Sequence, residues 1–176
     1  MRGRRRGSEV CLSALLWTVS SFSPAVVPAA DENPLRTELK EGEREALRRA
    51  ITGAARRLDR PRCQQIFRDF KDASGRPLQE GLDAVGRTGA TLLQDWIFFA
   101  DGQREARCTD SRVLAFTQPG SRSVWICGRR LAHERWRDPA WTELVMIHEA
   151  LHVLGLGEDP PSAEAISRRV LERCGG

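Results

Sequence analysis

The chain has 176 residues and a formal net charge of +4, with 28 Lys and Arg against 24 Asp and Glu. Residues 1–30 hold four of the arginines and a single glutamate, so the basic balance belongs mainly to that leader and residues 31–176 are close to neutral. Charge therefore gives no ground for a nucleic-acid partner, and the length fits one domain large enough to bury a real core.

Residues 1–30 read as a signal peptide. Arg2, Arg4, Arg5 and Arg6 make a positive start, an apolar stretch follows from Val10 to Val19, and Val27-Pro28-Ala29-Ala30 offers a small-residue cleavage site before Asp31-Glu32. The apolar run is short for a permanent membrane span, so cleavage is preferred over an uncleaved anchor. Cys11 lacks the small and aliphatic neighbours of a lipidation site. Residues 31–176 then form a single secreted or periplasmic domain with no lasting membrane insertion. It keeps Cys63, Cys108, Cys127 and Cys174, an even number that predicts two disulfides in an exported chain. Three pairings are open; one joins Cys108 to Cys127 across a hairpin and leaves Cys63 to tie an early helix to Cys174. A metal site made by these cysteines is disfavoured, because none occurs in a Cys-x-x-Cys pair.

From Pro34 to Leu58, Leu35, Leu39, Leu47, Ile51, Ala54 and Leu58 recur on one face and predict an amphipathic helix ended by Pro61. Cys63–Phe70 and Pro77–Val85 read as shorter helices separated by the turn Ala73-Ser74-Gly75-Arg76. After Gly86 the texture turns to strand, with Thr91–Ala100, Val113–Thr117 and Val124–Cys127 separated by Asp101-Gly102 and Gln118-Pro119-Gly120-Ser121. The second and third of these are expected to form a hairpin. Gly128–Arg137 reads as a polar connection whose Arg129, Arg130 or His133 is available to stabilise an oxyanion, although an ordinary solvated loop is the preferred reading.

The next stretch carries chemistry. Asp138-Pro139 predicts an N-cap followed by proline at the first helical position, and the run Ala140–Leu154 has no further Pro or Gly before Gly155 stops it. Within it, His148-Glu149-x-x-His152 places two imidazoles one turn apart on the same side, able to grip one metal ion. Glu149 is then close to the open side of that ion, where it can accept a proton from an activated water. A catalytic zinc needs a third protein ligand. Glu158, reached through Gly155 and Gly157, is preferred; Asp159, Glu164 and His133 are the alternatives. Pro160-Pro161-Ser162 makes a rigid turn, and Ser162 caps a final helix, Ala163–Cys174, with Ile166, Val170 and Leu171 as its apolar face. The fold class expected is α+β, with N-terminal helices, a small mainly antiparallel sheet, an active-site helix and a short C-terminal helix.

His148-Glu149-x-x-His152-x-x-Gly155-x-x-Glu158 resembles the extended zinc-binding signature of the metzincin metallopeptidases, with Glu158 where that clan usually has a third His and occasionally Asp. The run Gly155–Ser162 also resembles a group of small secreted bacterial metallopeptidase-like proteins. The only methionines, Met1 and Met146, lie upstream of Glu158, so the metzincin methionine turn is missing and the broader zincin resemblance is what the residues carry. That resemblance implies a small zincin-like domain, Zn2+ held by His148, His152 and Glu158, and Glu149 as general base hydrolysing peptide or protein substrates; a monomer is expected. Zincins set an edge strand beside the metal helix for extended substrate, and Val124–Cys127 is the candidate for it, with an ordinary core strand the equal alternative. The chain has no tyrosine to take the oxyanion role that some zincins give it. Two other readings stand beside the peptidase: a disulfide-stapled secreted binding protein with at most a structural metal, and an amidase acting on cell-wall peptide.

Overall fold

The computed structural model describes residues 39–176. The predicted leader, the predicted cleavage site and the predicted helical residues 34–38 lie outside the described residues. The fold is α+β: helices surround a small three-stranded sheet, and one nearly buried helix carries the His-Glu-x-x-His motif.

Helix α1 runs Glu41–Leu58 and buries Leu47, Ala50, Ala54 and Leu58 along the face anticipated from spacing. Short helices α2 (Pro61–Gln64), α3 (Ile66–Asp69) and α4 (Leu78–Ala84) follow, matching the two predicted pieces with a break at Gln65. The predicted strand Thr91–Ala100 is largely helical instead. A capping pair at Thr88 and Thr91 starts α5 (Gly89–Thr91), and a wide helical turn carries the chain through Leu92–Trp96. Leu92, Leu93 and Ile97 are all fully buried there, so helical capping and core contacts overrode the strand preference of the aromatic run.

Strand β1 is only Phe98–Asp101; β2 is Ala115–Thr117 and β3 is Ser123–Ile126. The hairpin β2–β3 is antiparallel as expected, while β1 pairs with β3 in parallel, so the sheet is mixed rather than mainly antiparallel. The strand order is β1-β3-β2, which puts Val124–Ile126 in the middle. Val124–Cys127 is therefore the core strand of the two readings and not the edge: β2 is the edge on the side of the helix that carries the His-Glu-x-x-His motif. Gly128–Arg137 is also not a loop but helix α6. Its single deep anchor, Leu131, is surrounded by charged residues, and that pattern reads as polar connection in sequence.

Helix α7 (Pro139–Val153) crosses the middle of the molecule, packing on α1, α6, β2 and α8 (Ala163–Cys174). Helix α8 buries Ile166, Val170 and Cys174 and leaves Leu171 half-exposed, correcting the expected face by one residue. Disulfides join Cys63 to Cys174 and Cys108 to Cys127. The first ties α2 to the end of α8 and the second ties the loop after β1 to the end of β3; both fit an oxidising compartment. Among the described residues no helix is long and apolar enough to cross a membrane.

A partly buried ion-pair network locks α7 in place. Glu143 accepts from Arg57 of α1 at 2.7 Å and from Arg135 of α6 at 2.9 Å. Gly53 leaves the space it needs, since a Cβ there would come within 2.6 Å of the Glu143 side chain. Alanine normally improves a helix interior by about 1 kcal/mol over glycine. Here Gly53→Ala is expected to lower the melting temperature by displacing Glu143 from its two arginines, whereas Gly42→Ala, with no atom within 4 Å of the added carbon, is expected to raise it slightly. Thermal denaturation of the two variants checks both signs.

Candidate metal centre

Local chemistry sets the ends of α7. Asp138 accepts from the Trp141 N–H at 2.9 Å at the start, beside Pro139. At the end, Gly155 takes φ of +100°, its N–H bonds to the His152 carbonyl at 2.8 Å and the Leu156 N–H bonds to the Leu151 carbonyl at 3.1 Å. This paired closure is the Schellman arrangement, and only glycine adopts that φ without strain. It turns the chain back beside the helix, buries Leu156 and leaves Glu158 over the His148–His152 face.

The closure also fixes a tautomer. His152 Nδ1 lies 2.7 Å from the Leu156 carbonyl, which can only accept, so Nδ1 carries the proton and Nε2 presents a lone pair. That Nε2 is 2.9 Å from His148 Nε2 and 3.1 Å from Glu158 Oε1; His148 Nε2 is 3.8 Å from the same oxygen. His148 Nδ1 is in turn 3.0 Å from Ser167 Oγ on α8. Both histidines are buried, and desolvation, reinforced by the neighbouring His152, pushes His148 down to about 3. The His148 ring is therefore not poised to answer the carboxylate by protonation in neutral solution.

A carboxylate and lone-pair nitrogen converging in this way form a ligand set. Atoms bound to one ion at about 2.1 Å across a tetrahedral angle sit roughly 3.4 Å apart, and the observed spacings fall on either side of that value. The group His148, His152 and Glu158 can thus hold a metal ion. Ser167 and the Leu156 carbonyl orient the two rings from behind, as outer partners of metal-bound histidines commonly do.

Glu149 stands beside this group with one oxygen, Oε2, buried and without a hydrogen-bond partner among the described residues. Burial, then the Glu158 charge, push its carboxyl up to about 8, against the lowering influence of Arg107 and the Thr117 N–H. It lines a cleft of about 300 Å³ with His152, Glu158, Arg107, Phe116 and Thr117. The β2 edge forms one side of that cleft. Cys127 N bonds to Leu114 O, and with the Ala115–Ile126 and Thr117–Val124 register this turns the backbone groups of Ala115 and Thr117 away from β3, toward the cleft.

Of the alternative ligands, Asp159, Glu164 and His133 fall outside the ligand group. His133 and Arg129 line a separate hollow next to the Cys108–Cys127 disulfide, and Arg130 is committed to the carbonyls of Val113 and Cys108. The cation of the cleft is Arg107, which the sequence reading did not single out. Ser167 was missed as well; its one signal was a position on the α8 face shared with Ile166 and Val170. In comparisons with known proteins, no family model, no curated protein and no solved structure matches the chain.

Two outcomes follow for the isolated site. Ser167→Ala frees the His148 ring, and affinity for a divalent metal ion is expected to fall about 10- to 100-fold, measured by competition with a chromophoric chelator. In chelator-treated protein, His148 binds fewer protons folded than unfolded from 6.5 down to about 3, so acid destabilises across that window. Glu149 holds an extra proton when folded from 4.5 up to about 8, so stability falls as pH rises through that range. These two groups place the stability maximum of the metal-free protein between pH 4.5 and 6.5. Thermal melts across pH check it, and Glu149→Gln is expected to abolish the alkaline decline.

Proposed function

We propose that this protein is an exported zinc-dependent metallopeptidase of the zincin type. The observation that carries the reading is the pairing of an open three-ligand group, His148, His152 and Glu158, with a buried, unpartnered Glu149 oxygen beside it in the same cleft. Two imidazoles and one carboxylate are the donors of known catalytic zinc sites, whereas structural zinc is usually closed by four protein ligands rich in cysteine. All four cysteines of residues 39–176 are in disulfides, which speaks against a cysteine-closed structural site and hence against a binding protein braced by one.

Zinc, when bound, supplies Lewis acidity that activates water and polarises the scissile carbonyl. The chain's own residues supply the rest. Glu149 accepts the proton of the attacking water and delivers it to the leaving amine; its burial and raised proton affinity suit a group that must hold a proton briefly. The outward-facing backbone of Ala115 and the Thr117 carbonyl offer hydrogen bonds to an extended peptide lying along β2, which would bring the scissile bond past Glu149. The two disulfides accord with action outside a reducing compartment. Hydrolysis of an amide in cell-wall peptide uses the same residues and is separated from this reading by substrate.

The test is metal analysis of the purified protein together with turnover of casein and of cell-wall peptide, before and after chelation and zinc restoration. Zinc at one ion per chain and chelator-reversible casein hydrolysis are expected. In Glu149→Gln, turnover is expected to drop about 10²- to 10⁴-fold while zinc content stays unchanged. A fully active Glu149→Gln protein sinks the assignment of the base.

A further inference from the structure

Arg107 occupies a place in the cleft that the proposed chemistry leaves without a task. It sits on the tight helical turn Ala106–Thr109, next to Cys108, whose sulfur is bonded to Cys127 and whose carbonyl accepts from Arg130 at 3.0 Å. The backbone that carries it is therefore anchored to the end of β3. Its guanidinium lies 5.5 Å from the centroid of the Phe116 ring, on the edge strand. Stacking on an aromatic face suits guanidinium and leaves its N–H fork free in the ring plane.

The charges lining the cleft are distributed unevenly. Glu149 and Glu158 lie at the ligand end. Asp110, the remaining cleft carboxylate, is paired with Arg112 at 2.9 Å and held down to about 2 by that pairing, so its charge is answered outside the cleft. Val113, Ala115 and Ala163 add apolar surface. An anionic group entering this space meets the Glu158 carboxylate at one end and, among the described lining residues, one cation, Arg107. The Arg107 field also reaches as far as Glu149, whose proton affinity it lowers.

We propose that Arg107 makes the cleft selective for peptides bearing an acidic side chain, which the guanidinium receives through a paired N–H···O contact while the backbone lies along β2. Its placement beside the reacting bond rests on the hydrolase reading; the recognition itself rests on the cleft. An arginine fork matches a carboxylate in geometry as well as in charge, and an amide of the same shape loses the charge-assisted part of the contact.

The experiment uses the zinc-loaded Glu149→Gln protein, which retains uncut peptide, and fluorescein-labelled alanine-based peptides carrying one Glu or one Gln at each position in turn. Fluorescence anisotropy is expected to show one position at which the Glu peptide binds about tenfold more tightly than its Gln partner, a preference that weakens with salt and disappears when Arg107→Gln is added. The doubly substituted protein is checked for an unchanged melting temperature and zinc content. Equal affinity for Glu and Gln peptides, absence of binding by any peptide, or a preference that survives Arg107→Gln overturns the proposal. If the preference holds but wild-type protein with zinc cuts none of these peptides, acidic recognition by Arg107 stands and the hydrolase reading falls.

Discussion

Two imidazole nitrogens and a carboxylate oxygen meet within a space of 2.9 to 3.8 Å, and most of the fold bears on keeping them there. Left without a cation, such a meeting is unfavourable. The His152 tautomer is set by the Leu156 carbonyl, Glu158 contributes negative charge, and burial denies His148 the easy remedy of protonation. The surrounding packing must therefore hold the arrangement against its own electrostatics. It does so with a helix anchored on four sides, whose only ionised side chain outside the motif, Glu143, is clamped between two arginines.

The glycine closure after α7 is the device that links backbone to chemistry. One left-handed residue satisfies the last helical carbonyls, buries Leu156 in the core, aims the Leu156 carbonyl at His152 and reverses the chain so that Glu158 faces the rings. A β-carbon at position 155 would strain that conformation and would meet Asp72 at 3.2 Å as well. The second orienting bond comes from farther along the chain. Ser167 reaches His148 because α8 is laid against α7 and fastened at its far end by the Cys63–Cys174 disulfide. The cleft side is held by a different staple: Cys108–Cys127 fixes the Arg107 turn, and the Gly120 N–H bonds the turn of the hairpin to the His152 carbonyl.

Burial sets Glu149 and Arg107 apart. Glu149 is on the helix, 5% exposed, where desolvation makes a carboxyl a reluctant acid. Arg107 is on an exposed turn, where a cation keeps its solvation until a ligand arrives. A buried carboxyl on a rigid element and a cation on a pinned loop thus face one cleft, and the Arg107 charge tempers the penalty on ionising Glu149.

Local rules were enough for a good deal of this. An N-cap with proline, a 3.6-residue apolar period and a stopping glycine fixed α7 to within a residue at each end. The spacing of His148, His152 and Glu158 named the ligand group, and the hairpin β2–β3 followed from its turn residues. These features depend on contacts between near neighbours in the chain, so the sequence by itself determines them. Which strand lies at the edge, whether Leu92–Trp96 coils or extends, and which distant side chains stand behind and across from the metal group were decided only by tertiary structure. The order β1-β3-β2 depends on a parallel pairing between segments more than twenty residues apart, Ser167 on the docking of one helix on another, and Arg107 on a disulfide that draws a loop over the edge strand. Each is a long-range choice in which total burial outweighs local propensity, and no local pattern in the chain records the result.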